Sequence, residues 1–450
     1  MQKSMLAVAV AAVLTANAHA DSTVVNGPMG FDPIPGSAYG RDGDADIATA
    51  PWLIPEGFTQ SIVSDESDLN IYVENDWPDM NTVNETRKHV GHYLYRTHEV
   101  RYSSDNDHRV DGGRGGAVSV VDLKTGEAKE LAARADWEAL DGVVWTPWHT
   151  ILFAEEAGAS SLPDPDHPAA TAGLLYELTL DPRDPTRAES VSVRPLLGAL
   201  AHEGIETDAE GNVYVIDEDR HGSIYKFVPD SYGDLSSGQL YALKVMNGAK
   251  TGAAEWVALD MSQVQIRANV AARAAGATEF CRPEDLERIG GTLYVALTCE
   301  DVDNAANIHG PGAVMAIELG EQPEVAYVAA AGKNAPFENR DAGITGFKGA
   351  DNLASGPDGK LWIVEDNAYS DIWVFDPRSE DADGDGYRDG MHLFASLKDR
   401  PAEGTGIYFG KDPQTLFVNV QHSGTGNDKT MAITKREHGR DRERHHRHDH

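Results

Sequence analysis

The chain has 450 residues, 41% of them hydrophobic and 25% charged, which is apolar enough for a large core and too apolar for a disordered chain. Its 73 acidic against 38 basic residues give a formal charge of −35, which argues against nucleic acid and anionic membranes as partners and favours divalent cations. After the first twenty residues no stretch approaches the roughly 20 apolar residues of a membrane helix, so no integral membrane segment is expected.

Residues 1–20 read as a secretory signal peptide: Lys3 is the positive region, residues 5–14 are the apolar run, and Ala18-His19-Ala20 is a small-x-small cleavage site. The expected location is therefore periplasmic or secreted, as a monomer. Residues 21–50, rich in Gly, Pro and Asp, read as an extended N-terminal segment wrapping the surface. From 51 to 434 strand signals dominate, in short alternating runs such as HYLYRTHE, HTILFAEE, NVYVIDED, TLYVALTCED, KLWIVEDN and TLFVNVQH. The best helical pattern is SQVQIRANVAARAA at 262–275, capped by Ser262 and stopped by Gly276. Residues 435–450 form a basic tail carrying His438, His445, His446, His448 and His450; a disordered tail has no fixed geometry for zinc or copper.

The runs end in polar groups at Glu99, Glu156, Glu218, Glu300, Glu365 and Gln421, with gaps of 57, 62, 82, 65 and 56 residues, the longest holding the helix. Six such units predict an all-β fold, a six-bladed β-propeller with a few short helical insertions, with a pair of β-sandwiches as the alternative. Cys281 and Cys299 flank a hairpin turning at Gly290-Gly291, a register that places them nearly opposite each other, as a disulfide or as two buried thiols.

In a propeller the residues entering the innermost strands converge on a central channel. The candidates are Glu203 and Glu206 in HEGIE, Glu284 and Asp285 in RPED, Asp351 and Asn352 in GADN, and Glu403 in PAEGTG. Two like charges 4 Å apart repel by about 4 kcal/mol at an effective dielectric near 20, so converging carboxylates need bridging cations or must stay partly protonated. Oxygen-rich ligation suits Ca²⁺ best and accepts Fe³⁺-like hard ions; the bland reading is a set of solvated turns. Arg282, two residues before Glu284, could hold a phosphate beside such ions, or simply pair with Asp285 or Glu287.

The segments TPWHTILFAEE, HEGIETDAEGNVYVIDED, FCRPED, GPDGKLWIVEDN and LFVNVQHSGTG, in this order and spacing, resemble the PhoX-type secreted alkaline phosphatases. The resemblance implies a six-bladed propeller with calcium and ferric ions in its channel, cleaving a small-molecule phosphate ester. It also implies that Glu156, Glu203, Glu284, Asp351 and Glu403 match metal-ligand positions and that Arg282 matches the phosphate-holding arginine. Two departures stand out: Ala154 occupies the position of an iron-binding cysteine, and the family's glycine-rich segment is reduced to DRPAEGTG, which keeps Glu403. A calcium-only or mononuclear variant is one reading of these changes.

Asp381, Asp383, Asp385, Tyr387 and Asp389 sit at EF-hand-like positions, but His392 replaces the closing glutamate, leaving a secondary structural calcium loop or a solvated acidic turn. P-loop, HExxH, GxSxG and CxxC motifs are absent. Two alternatives accompany the phosphatase: a calcium-dependent lactonase or esterase with a base such as His202, and a non-catalytic calcium-binding surface protein.

Overall fold

The computed structural model describes residues 23–69, 77–86, 89–100, 115–158, 163–334, 346–381 and 384–436. Residues 1–20, read from the sequence as a signal peptide, and almost all of the His-rich tail lie outside them. Antiparallel four-stranded units follow one another along the chain. The first comprises Trp77–Val83, Tyr93–Glu99, Ala117–Asp122 and Glu127–Ala133. The second comprises Leu140–Trp145, Ile151–Glu155, Leu175–Asp181 and Asp184–Val193, and the third Ile205–Thr207, Val213–Ile216, Ile224–Pro229 and Gly238–Val245. The fourth is Pro283–Ile289, Thr292–Leu297, Ala313–Glu318 and Glu324–Ala330; the fifth is Ala350–Ser355, Leu361–Glu365, Ile372–Phe375 and Met391–Leu397.

The sixth unit takes Glu403–Phe409, Thr415–Gln421 and Lys429–Lys435 from the C-terminal end and its outermost strand, Phe58–Asp65, from the N-terminal end. The innermost strand of each unit packs on that of the next, and the sixth returns to the first. The fold is a six-bladed β-propeller, closed by hydrogen bonds between the two ends of the chain. The polar run-ends fall at or within three residues of the end of the second strand of every blade, which is why counting them counted blades.

Apolar clusters fill the seams between blades. In Ile151–Glu155, Ile151 and Phe153 face the first blade with Tyr95 and Val118, while Leu152 and Ala154 face the third with Val213 and Tyr225. The strand is therefore buried on both sides and reads as continuous apolar sequence rather than as alternation. Each such Leu or Phe contributes about 1.5–3 kcal/mol relative to exposure.

Two expectations are corrected. The helix, Met261–Ala275, is capped by Asp260, whose carboxylate accepts the Ser262 N–H at 3.0 Å; Ser262 is already inside it. It is interrupted at Arg267 (φ −165°, ψ 102°), where the backbone of Ala199 inserts, accepting the N–H of Ala268 and donating to the Val264 carbonyl. The extended N-terminal segment does more than wrap the surface: Val25, Met29 and Phe31 are buried with Trp52 in the seam between the fifth and sixth blades.

Cys281 and Cys299 are disulfide-bonded, with Cα atoms 5.3 Å apart. The register explains it: Ile289 pairs with Thr292, and a bulge between Pro283 and Leu286 shifts the upper hairpin by one residue, so that continuing from Pro283–Leu297 sets Cys281 opposite Cys299. Replacing both cysteines by serine is expected to cost about 2–4 kcal/mol of stability. Denaturant titration of the double variant checks this, and an unchanged midpoint contradicts it.

Candidate active site

Five of the six innermost strands carry the same irregularity. Two of their residues lie opposite one on the neighbouring strand: between Pro78 and Asn81, Leu140 and Val143, Pro283 and Leu286, Ala350 and Leu353, and Thr405 and Tyr408. Such β-bulges twist the strand and re-aim its side chains, and they recur beside active sites. In four blades the bulge holds the acid: Asp79-Met80, Asp141-Gly142, Glu284-Asp285 and Asp351-Asn352. In the third blade Glu203-Gly204 leads into the inner strand, and in the sixth Glu403 begins it. Every blade thus sends one carboxylate towards the axis.

In the third, fourth and fifth blades the residue following the acid joins one blade to the next. Gly204 donates its N–H to the Glu284 carbonyl at 3.0 Å, Asp285 accepts the Leu353 N–H at 2.8 Å, and Asn352 accepts the Gly406 N–H at 2.6 Å. Asp285 and Asn352 are therefore structural stitches, although Asn352 also donates to Glu203 at 3.1 Å. A Cβ on Gly142 would lie 1.7 Å from the Glu203 carbonyl oxygen. Gly142→Ala is expected to push the second and third blades apart and cost about 1–3 kcal/mol or more, with a thermal melt as the check; an unchanged melt contradicts the close approach.

The carboxylates feel one another. Burial raises the affinity of Glu203 for its proton, and Glu284, Asp141 and Asp351 raise it further. Asp351 is raised by burial and then by Glu284, Glu403, Asp366 and Asp79. Glu403 is raised by burial, then by Asp366, Asp79 and Glu99, and Asp141 by burial, then by Asp79 and Glu99. Glu284 is pushed up to about 8, burial first and Glu218 second. Ligand atoms of Glu203, Glu218 and Glu284 lie within 4.8 Å of one another, spacing that suits a hard cation.

Arg282 closes this cluster on the solvent side. Its backbone is left-handed (φ 44°), and its guanidinium contacts Glu218 at 2.6 Å, Glu284 at 3.0 Å and Asp366 at 3.3 Å. The alternative partners, Asp285 and Glu287, are not the ones it takes. Burial works against its charge, but the three carboxylates more than compensate and hold the proton firmly. Arg282 and Asp366 remain about one-third exposed, whereas Glu284 is 1% exposed, so the arginine stands at the mouth and the carboxylate ring lies below it.

Glu203, Glu284, Asp351 and Glu403 are thus brought together with Asp79, Asp141, Glu218 and Asp366, none of which was among the sequence-based ligand candidates. Asp141 was signalled by the acid-then-glycine pattern it shares with Glu203-Gly204 and Glu403-Gly404, whereas Asp79 is followed by Met80 and carries no such signal. Glu156 is half-buried, its backbone tied to Ala139 and Ala201, and it is not a member of the tight group around Glu284. Ala154 is buried among Leu152, Leu175 and Val213 and offers no ligand atom. Glu206 accepts the Thr207 and Arg288 N–H groups at the far end of the inner strands. His202 is buried with its Nε2 on the Gly198 carbonyl at 2.9 Å, and burial lowers its pKa to about 4, so it is a neutral structural group. In the acidic loop Asp383 lies outside the described residues. Asp381 accepts the Gly384 and Gly386 N–H groups and Asp385 that of Tyr387, while Asp389 receives on its carbonyl the hydroxyl of Ser379.

Fold and site together define a six-bladed propeller with an acidic axial centre guarded by an arginine. The chain belongs to the alkaline phosphatase PhoX family, whose family profile matches residues 142–424. It is similar in fold to PhoX of Pseudomonas fluorescens, solved in complex with vanadate, a transition state analogue: TM-score 0.63 at 18% identity, over 91% of this chain and 98% of that one. Two weaker likenesses carry no argument: virginiamycin B lyase from Staphylococcus aureus (TM-score 0.42, 13% identity, 84% and 99% coverage) and aldose sugar dehydrogenase from Streptomyces coelicolor (0.39, 10%, 85% and 99%). No curated protein matches the chain.

Proposed function

We propose that this protein hydrolyses phosphate monoesters at calcium ions held by Glu203, Glu218, Glu284, Asp351 and Glu403, with Asp79 and Asp141 completing the ring. The observation that carries this reading is Arg282, placed by Glu218, Glu284 and Asp366 at the mouth of the carboxylate cluster. The donor set is all carboxylate oxygen, which fits hard cations, and Ala154 removes the sulfur that an iron pair of the family would use. Bound ions would polarise phosphoryl oxygens and offset the negative charge of the attacking and leaving oxygens.

The chain's own contribution is placement. Arg282 presents a planar, permanently charged fork to the equatorial phosphoryl oxygens, a group stabilised most as charge develops in the transition state. Its strained backbone costs about 1–2 kcal/mol, a cost that the flanking disulfide and the three carboxylates sustain. Export through residues 1–20, and a propeller spanning 51–434, belong to the same reading.

The test is turnover of p-nitrophenyl phosphate at alkaline pH. Activity should appear with Ca²⁺, vanish with a chelator and return on adding Ca²⁺ without iron. Absence of turnover under all three conditions would sink the phosphatase reading, and a requirement for iron would sink the calcium-only part.

A further inference from the structure

We infer that the cavity between the third and fourth blades is a subsite for a second phosphate group on the alcohol portion of the substrate; this deepens the phosphatase reading and rests on it. The cavity has a volume of about 630 Å³ and is lined by Arg220, Lys244, Lys250, Thr278, Cys281 and Glu300 among others. Its Arg220 and Glu300 follow the ends of the second strands of the third and fourth blades. Arg282 donates its backbone N–H to the Asp219 carbonyl at 3.0 Å, so the chain segments bearing Arg282 and Arg220 touch, and Cys281 belongs both to the cavity wall and to the Arg282 turn.

The charge of this wall is opposite to that of the molecule. Acids outnumber bases almost two to one along the chain, yet three permanent cations face this cavity against two carboxylates. Those carboxylates are already engaged. Glu300 accepts the Cys281 N–H and the Tyr327 hydroxyl, each at 2.8 Å, and Glu279 pairs with Arg273 at 3.0 Å and faces the His221 ring at 3.3 Å. The Arg220 guanidinium meets the Ile308 carbonyl and the His309 ring, each at 3.1 Å, and has no carboxylate partner among the described residues. Lys250 lies 3.4 Å from Glu300 and over the Phe280 ring, and Lys244 reaches only Glu255, at 3.6 Å, with both partners exposed. A fork-shaped guanidinium without a carboxylate partner among the described residues, flanked by two ammonium groups, suits a phosphate oxyanion. An ester with one phosphate at Arg282 and a second a few bonds away could reach both.

The experiment compares butanediol bisphosphate, phosphorylated at both ends, with butyl phosphate. Wild-type protein is expected to show kcat/KM about tenfold higher for the bisphosphate, beyond the twofold statistical advantage of two equivalent ends. The Arg220→Ala/Lys244→Ala variant should lose that preference and turn over butyl phosphate as before. Equal kcat/KM in the wild type, or a preference that survives in the variant, overturns the subsite. If neither compound is hydrolysed the phosphatase reading itself fails. Calorimetric titration with the bisphosphate then decides the subsite: binding weakened at least about fivefold in the variant supports it, and equal binding overturns it.

Discussion

Arg282→Ala is expected to lower kcat/KM for phosphate monoesters by about 10²–10³-fold while leaving bound calcium unchanged, because the residue meets the substrate rather than the ions. Arg282→Lys should recover little of this, since a point charge cannot reproduce the fork that reaches Glu218, Glu284 and Asp366 together. Arg282→Gly supplies an internal control. Glycine adopts φ near 44° without strain, so it should be about 1 kcal/mol more stable than the alanine variant and equally inactive. Steady-state kinetics with melting curves on the three variants checks the set. Full activity in Arg282→Ala would remove the arginine from the substrate side.

The second large effect is on stability and concerns metal removal. Glu203, Glu284, Asp351 and Glu403 hold protons above their ordinary range, burial being the largest cause in each. In the unfolded chain the same groups release their protons near pH 4. Between there and about pH 8, where Glu284 titrates, the folded chain binds more protons than the unfolded one, so stability falls as pH rises. Their contribution is fully present below the unfolded values and is lost through the folded ones. Chelator-treated protein should therefore melt several degrees lower at pH 9 than at pH 5, and millimolar Ca²⁺ should remove most of that difference by taking the place of the protons. A melting temperature that is flat with pH after chelation, or insensitive to calcium at pH 9, would contradict this.

Blade number was legible in the sequence because the polar residue ending each second strand recurs regardless of loop length. Convergence was legible in part: Glu203, Glu284, Asp351 and Glu403 each precede an apolar strand and lie on the axis side of their blades. Asp79 and Asp141 sit in the same kind of bulge as Glu284 and Asp351, and since a bulge leaves no period in the sequence, strand alternation could not recover them. The partners of Arg282 were missed for a different reason. Its contacts Glu218 and Asp366 come from the third and fifth blades, far from it in sequence. The helix cap was displaced by two residues because Asp260 and Ser262 both suit the position and the hydrogen bond to the Ser262 N–H decides.

The central claim is that carboxylates from all six blades form one cation site on the propeller axis. It is tested most directly by elemental analysis of protein purified without chelator, measured as moles of metal per mole of chain. The account predicts about two to three equivalents of calcium and little iron, with calcium falling in a Glu284→Gln/Asp351→Asn variant that remains folded. A well-folded wild-type protein that carries no tightly held metal, or one with calcium content unchanged in that variant, would contradict it.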